Sequence, residues 1–117
     1  MRDYRQFVVW QKAHALTLNV YALTRAFPRA ERFGLSSQLR RAALSVPSNI
    51  AEGAGRASDT DFARFLEIAG GSANEAEYQL LLARDLGYIP EPEYQAVADQ
   101  LSEVRRLLSG FRRKLKP

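Results

Sequence analysis

With 117 residues and a net charge of +4, the chain is the size of one domain and mildly basic. Hydrophobic residues at 46% and charged residues at 26% exclude a disordered chain, and no apolar run approaches the roughly 20 residues that a membrane-spanning helix needs. The lack of cysteine removes disulfides and thiolate metal sites, and the polar start Met1-Arg2-Asp3-Tyr4 lacks a signal-peptide core, so a cytoplasmic protein is expected.

The first apolar stripe is Val9, Ala13, Leu16, Val20, Leu23 and Phe27, spaced by four and three, and it predicts a helix over about 8–27 that Pro28 closes. A second stripe, Leu35, Leu39, Ala42, Val46 and Ile50, predicts a helix over 35–54, with Ser36 or Ser37 as its cap and Gly53 or Gly55 as its stop. Pro47 lies inside this helix and removes the hydrogen bond to the carbonyl of Ala43, which predicts a kink or a break there. Ser58, with Asp61 three residues on, forms a capping-box signal for a helix over 59–86 carrying Phe62, Leu66, Ala69, Ala73, Ala76, Leu80 and Ala83. Gly87 suits the left-handed stop of that helix, with Tyr88 placed to fold back on it. Pro90 and Pro92 then separate it from a last helix over about 92–115, whose stripe is Val97, Leu101, Val104, Leu108, Phe111 and Leu115. No stretch alternates as a strand does. Short loops make successive helices antiparallel, so the expected fold is all-α: a single up-and-down four-helix bundle filling residues 1–117.

Two features exceed what one bundle needs. Val8, Trp10, Ala15, Leu18 and Tyr21 on helix 1, with Phe65, Ile68, Leu81 and Leu82 on helix 3, spread apolar character over more than one face. A homo-oligomer would cover those faces; positions at the edges of a monomer's stripes are the alternative. Gly70 and Gly71 inside helix 3 cost about 1 kcal/mol each relative to alanine. Their expected compensation is close approach of helix 2 through Ala42, Ala43 and Ser45, the alternative being a local irregularity of the helix.

Catalytic signals are absent. One histidine, His14, and no cysteine leave no nucleophile–base set and no metal-ligating set, and Glu52, Glu75 and Glu77 are better read as ion-pair partners of Arg40, Arg41 and Arg56. No cofactor is implied, and Gly53-Ala54-Gly55-Arg56 has neither the preceding strand nor the spacing of a phosphate loop. The basic residues are more informative. Fourteen of the 17 are arginine, whose planar fork suits phosphate, although a gene rich in G and C gives the same bias. They gather in two runs: Arg25, Arg29, Arg32, Arg40 and Arg41 around the first turn, and Arg105, Arg106, Arg112, Arg113, Lys114 and Lys116 along helix 4. Either run is a candidate nucleic-acid contact, and a solvated charged face is the plainer reading of each.

Four segments carry a family resemblance: Phe7-Val8-Val9-Trp10-Gln11-Lys12-Ala13, Phe33-Gly34-Leu35-Ser36-Ser37-Gln38-Leu39-Arg40-Arg41-Ala42-Ala43, Ser45-Val46-Pro47-Ser48-Asn49-Ile50-Ala51-Glu52-Gly53 and Phe65-Leu66-Glu67-Ile68-Ala69-Gly70-Gly71-Ser72. Together they resemble the bacterial four-helix bundle proteins called 23S rRNA intervening-sequence proteins, over nearly the whole chain. The resemblance implies a homopentamer with a central channel. It also implies a more distant kinship to the accessory protein of diversity-generating retroelements, which binds nucleic acid and a reverse transcriptase. The family name records where some of its genes sit and establishes no activity. The motif positions Asn49, Glu52, Arg56, Ser72 and Glu75 fall at the junction of helices 2 and 3 and are expected to form a buried or half-buried polar network. Ala73-Asn74 departs from many relatives, which carry larger apolar residues before the glutamate.

The expected function is therefore a non-enzymatic homo-oligomeric adaptor that binds RNA or single-stranded DNA through its basic surface. A scaffold whose partner is another protein is the alternative.

Overall fold

A computed structural model of the chain describes residues 2–115. It contains four helices, α1 (Val8–Thr24), α2 (Leu35–Ala54), α3 (Asp59–Asp85) and α4 (Glu91–Lys114), with short 3-10 turns at Tyr4–Gln6 and Arg29–Glu31. Among the described residues there is no strand. Each helix packs on its chain neighbours, and α1 also packs on α4, which closes an antiparallel ring measuring 44 × 24 × 20 Å. The contact between α2 and α3 is the most extensive. Every stripe contributes to one core: Leu16 and Val20, Leu39, Val46 and Ile50, Phe62, Leu66 and Leu80, and Leu101 and Val104 are all fully buried. Burying each such side chain contributes about 1.5–3 kcal/mol, and this offsets the entropy of ordering the chain.

The helix ends separate local signals from tertiary ones. Ser58 Oγ accepts from the Asp61 N–H at 3.1 Å, as the capping box requires. Gly87 takes a φ of +81°, and the Tyr88 N–H donates to Ala83 O at 2.9 Å, closing α3 in a Schellman arrangement. The start of α2 differs from expectation. Gly34 is its N-cap and offers no side chain, and Ser36 and Ser37 lie inside the helix. The free N–H of Leu35 donates instead to Glu31 Oε1 at 3.1 Å, so a carboxylate from the preceding turn does the capping.

Of the kink or break expected at Pro47, the break does not occur: α2 is one uninterrupted helix. The carbonyl of Ala43, which a residue-47 N–H would have satisfied, lies 3.1 Å from Thr17 Oγ1 on α1. The same hydroxyl sits 2.8 Å from Ala13 O, so one buried O–H serves two helices at the proline. This contact gives the orphan acceptor a donor in the core, where an unpaired carbonyl costs about 1–3 kcal/mol.

The glycines exchange the roles expected of them. A Cβ on Gly70 or Gly71 would meet nothing within 4 Å, so neither residue lets α2 come close. Ser72 makes that approach, with Ser45 Oγ and Ser72 Oγ 2.8 Å apart, and Ala69 and Ala73 near it are fully buried. Gly53, expected only to end α2, lies inside its last turn, where a Cβ would fall 2.7 Å from Phe65 Cβ and 2.9 Å from Phe62 Cδ1. The segment before α1 is anchored at the same corner: Arg2 donates to the Arg56 carbonyl at 2.9 Å, pairs with Asp59 and lies over the Phe62 ring. Of the surplus apolar positions, Phe65 is buried and Trp10, Leu81 and Leu82 are half-buried, while Val8, Leu18 and Ile68 remain exposed, joined by Leu44 and Tyr78. His14 is exposed and stacks on Trp10.

Candidate nucleic-acid interface

The antiparallel order of the helices separates the two basic runs. The α1–α2 turn lies at one end of the long axis, and the last turns of α4 lie at the other. They are two patches and do not merge into one stripe on a single copy.

At the α1–α2 end, Arg25, Arg29, Arg32 and Arg40 line one hollow of about 270 Å³, together with Thr24, Phe27, Pro28 and Ser36. Arg40 is held in place: its Nε donates to Thr24 Oγ1 at 2.7 Å, a second nitrogen lies 3.3 Å from Tyr21 O, and the guanidinium covers the Tyr21 ring. Thr24 Oγ1 in turn donates to Val20 O at 2.8 Å, which fixes the hydroxyl as the acceptor for Arg40. None of these four arginines, nor Arg41 beside them, forms an ion pair among the described residues. The carboxylate in the turn, Glu31, is engaged elsewhere: one oxygen caps α2 and the other accepts from the Tyr88 hydroxyl at 2.9 Å. That hydrogen bond to Glu31, with burial second, pushes the Tyr88 pKa above its ordinary value and ties the α3–α4 turn to the α1–α2 turn. Phe33 stands beside the cluster at 86% exposure, with the Arg32 guanidinium over its ring.

The α4 run is partly neutralised. Arg105 pairs with Glu77 at 2.8 Å and reaches Asn74, and Arg112 pairs with Glu67 at 2.9 Å. Both pairs bridge α3 and α4 across a groove floored by Gly70 and Gly71. Arg106, Arg113 and Lys114 are exposed and unpaired among the described residues, and Lys116 lies outside them. Among the described residues, the candidate contacts therefore reduce to Arg25, Arg29, Arg32, Arg40 and Arg41 at one end and Arg106, Arg113 and Lys114 at the other.

The polar motif positions form three separate groups in place of the single network expected. Asn49 Nδ2 donates to Ser45 O at 2.8 Å and lies 2.9 Å from Ser45 Oγ, which continues to Ser72. Glu52 pairs with Arg56 at 2.8 Å on the exposed surface, and Arg56 extends to Asp61. Glu75 is exposed and accepts from Gln79 at 3.3 Å. Only the Asn49–Ser45–Ser72 chain is half-buried, because the register of α2 on α3 points the glutamates outward. Among the described residues no three histidine, aspartate or glutamate side chains converge as a metal site, and no helix is long and apolar enough to cross a membrane.

Fold and surface together define a small antiparallel helical bundle with an unpaired arginine cluster at one end. The chain belongs to the 23S rRNA-intervening sequence protein family, whose model matches residues 5–110. It is similar in structure to a protein of unknown function from the S23 ribosomal protein family of Bacteroides thetaiotaomicron, at 29% identity and a TM-score of 0.85, over 92% of this chain and all of that one. No curated protein matches it.

Proposed function

We propose that this chain is a non-enzymatic, cytoplasmic adaptor that assembles as a homo-oligomer, with five copies as the family resemblance implies, and binds RNA or single-stranded DNA through its basic surface. The observation that carries the reading is the hollow at the α1–α2 end, where four arginines face one space with no carboxylate partner among the described residues. Unpaired guanidinium groups are the usual contacts to phosphate, and several copies in one assembly would multiply the charge of +4. Phe33 supports the same reading, because an exposed ring beside arginines offers a base a stacking surface. The exposed Leu18, Leu44, Ile68 and Tyr78 favour association between copies.

Two measurements test this. Fluorescence anisotropy with a labelled single strand at two salt concentrations should show binding that weakens steeply as salt rises. Light scattering coupled to size exclusion should show a defined oligomer. Absence of binding at low salt would remove the nucleic-acid part of the reading and leave the exposed apolar residues in favour of a protein-directed scaffold.

A further inference from the structure

The arginine hollow is more specific than a basic surface. Phe27 and Pro28 wall it, so it has a concave side, and the four arginines approach one small space. Ser36 lines it as well, only 8% exposed, and its hydroxyl has no hydrogen-bond partner among the described residues. The Ser36 hydroxyl is open to the hollow, so it is free to donate to an acceptor held there. Arg40 is already oriented by Thr24 and Tyr21, so little rotamer freedom remains for it to lose on binding.

A phosphodiester in the middle of a strand carries one charge, and its chain must leave in two directions. A terminal phosphomonoester carries about −1.5 to −2 charge with three acceptor oxygens and leaves in one direction only. Four cationic forks, a free hydroxyl and a walled space match the second better than the first. We propose that this hollow holds the terminal phosphate of a nucleic-acid strand, with Arg25, Arg29, Arg32 and Arg40 on its oxygens and Ser36 donating a hydrogen bond. The proposal rests on the nucleic-acid reading above and adds to it a preference for phosphorylated strand ends.

The test is a comparison of one short single strand in three forms: 5′-phosphorylated, 3′-phosphorylated, and with hydroxyl ends. Anisotropy is measured on the full chain and on the Arg25→Gln/Arg29→Gln and Ser36→Ala variants, with circular dichroism confirming that each folds. Arg25 and Arg29 are exposed and unpaired, so their replacement leaves the core untouched. The expected result is that one phosphorylated form binds about tenfold or more tightly than the hydroxyl form. The double arginine variant should abolish that ratio, and Ser36→Ala should lower it at unchanged net charge. Equal binding of all three forms, weakened by the arginine variant, would overturn end recognition and leave nucleic-acid binding standing. A ratio that persists in both variants would overturn the assignment to this hollow. No binding of any form would overturn both proposals together.

Discussion

Placing the same methyl group on three glycines of this bundle should give effects of opposite sign. Gly70→Ala and Gly71→Ala add a Cβ where nothing lies within 4 Å, inside α3, so only the helical preference changes and each should stabilise by about 0.5–1 kcal/mol. Gly53→Ala gains the same preference. It also drives a Cβ to 2.7 Å from Phe65 Cβ and 2.9 Å from Phe62 Cδ1, two buried residues whose near-backbone atoms cannot swing aside. Overpacking of this kind costs about 1–3 kcal/mol, so the net change at Gly53 should be a loss of about 1–2 kcal/mol. An unfolding entropy of about 2.1 cal/mol/K per residue makes each kcal/mol worth about 4 °C in a chain of 117 residues. Dilute protein followed by far-ultraviolet circular dichroism should therefore melt about 4–8 °C lower for Gly53→Ala and several degrees higher for Gly70→Ala/Gly71→Ala. A stabilised Gly53→Ala, or a destabilised Gly70→Ala/Gly71→Ala, would refute the packing described for α2 on α3.

Thr17→Val should cost about 1–2 kcal/mol by leaving Ala43 O without a donor, and much less in a Pro47→Ala background, where the restored N–H takes over; urea denaturation of the four proteins in this cycle reads the coupling, and equal losses in both backgrounds would count against it. Tyr88 should make the protein sensitive to alkali. Its pKa is raised by the hydrogen bond to Glu31, so the interaction contributes fully below the ordinary tyrosine pKa of 10.0 and disappears as pH rises through the higher value. Denaturation midpoints of wild type and Tyr88→Phe should therefore converge at high pH, and a constant separation would argue against the hydrogen bond.

Features carried by one segment were legible in the sequence. The heptad-spaced stripes, the Ser58–Asp61 cap and the left-handed Gly87 depend on a few adjacent residues, and the structure places each as expected. Features that depend on how one helix sits on another were not. Gly53 and Gly70 are equivalent until the register of α2 on α3 determines which of them faces Phe62 and Phe65. Arg105 and Arg112 read as free cations until the pairing of α3 with α4 brings them to Glu77 and Glu67. Ser36 read as a helix cap because nothing local reveals that Glu31 has taken that role, which leaves the serine hydroxyl to the hollow. The part played by Thr17 was hidden as well, although a threonine in the apolar stripe of a chain with a helix-interior proline is a pattern that could have flagged it.

Whether the unpaired arginines at the α1–α2 end contact phosphate is decided by the salt dependence of single-strand binding in two charge-matched variants. Arg25→Gln/Arg29→Gln should lower the slope of log K against log salt, by about 0.7 for each phosphate no longer neutralised. Arg105→Gln/Arg112→Gln, which removes arginines already paired to glutamates, should leave the slope close to that of wild type. An unchanged slope in the first variant, or the larger decrease in the second, would contradict phosphate binding at the α1–α2 end.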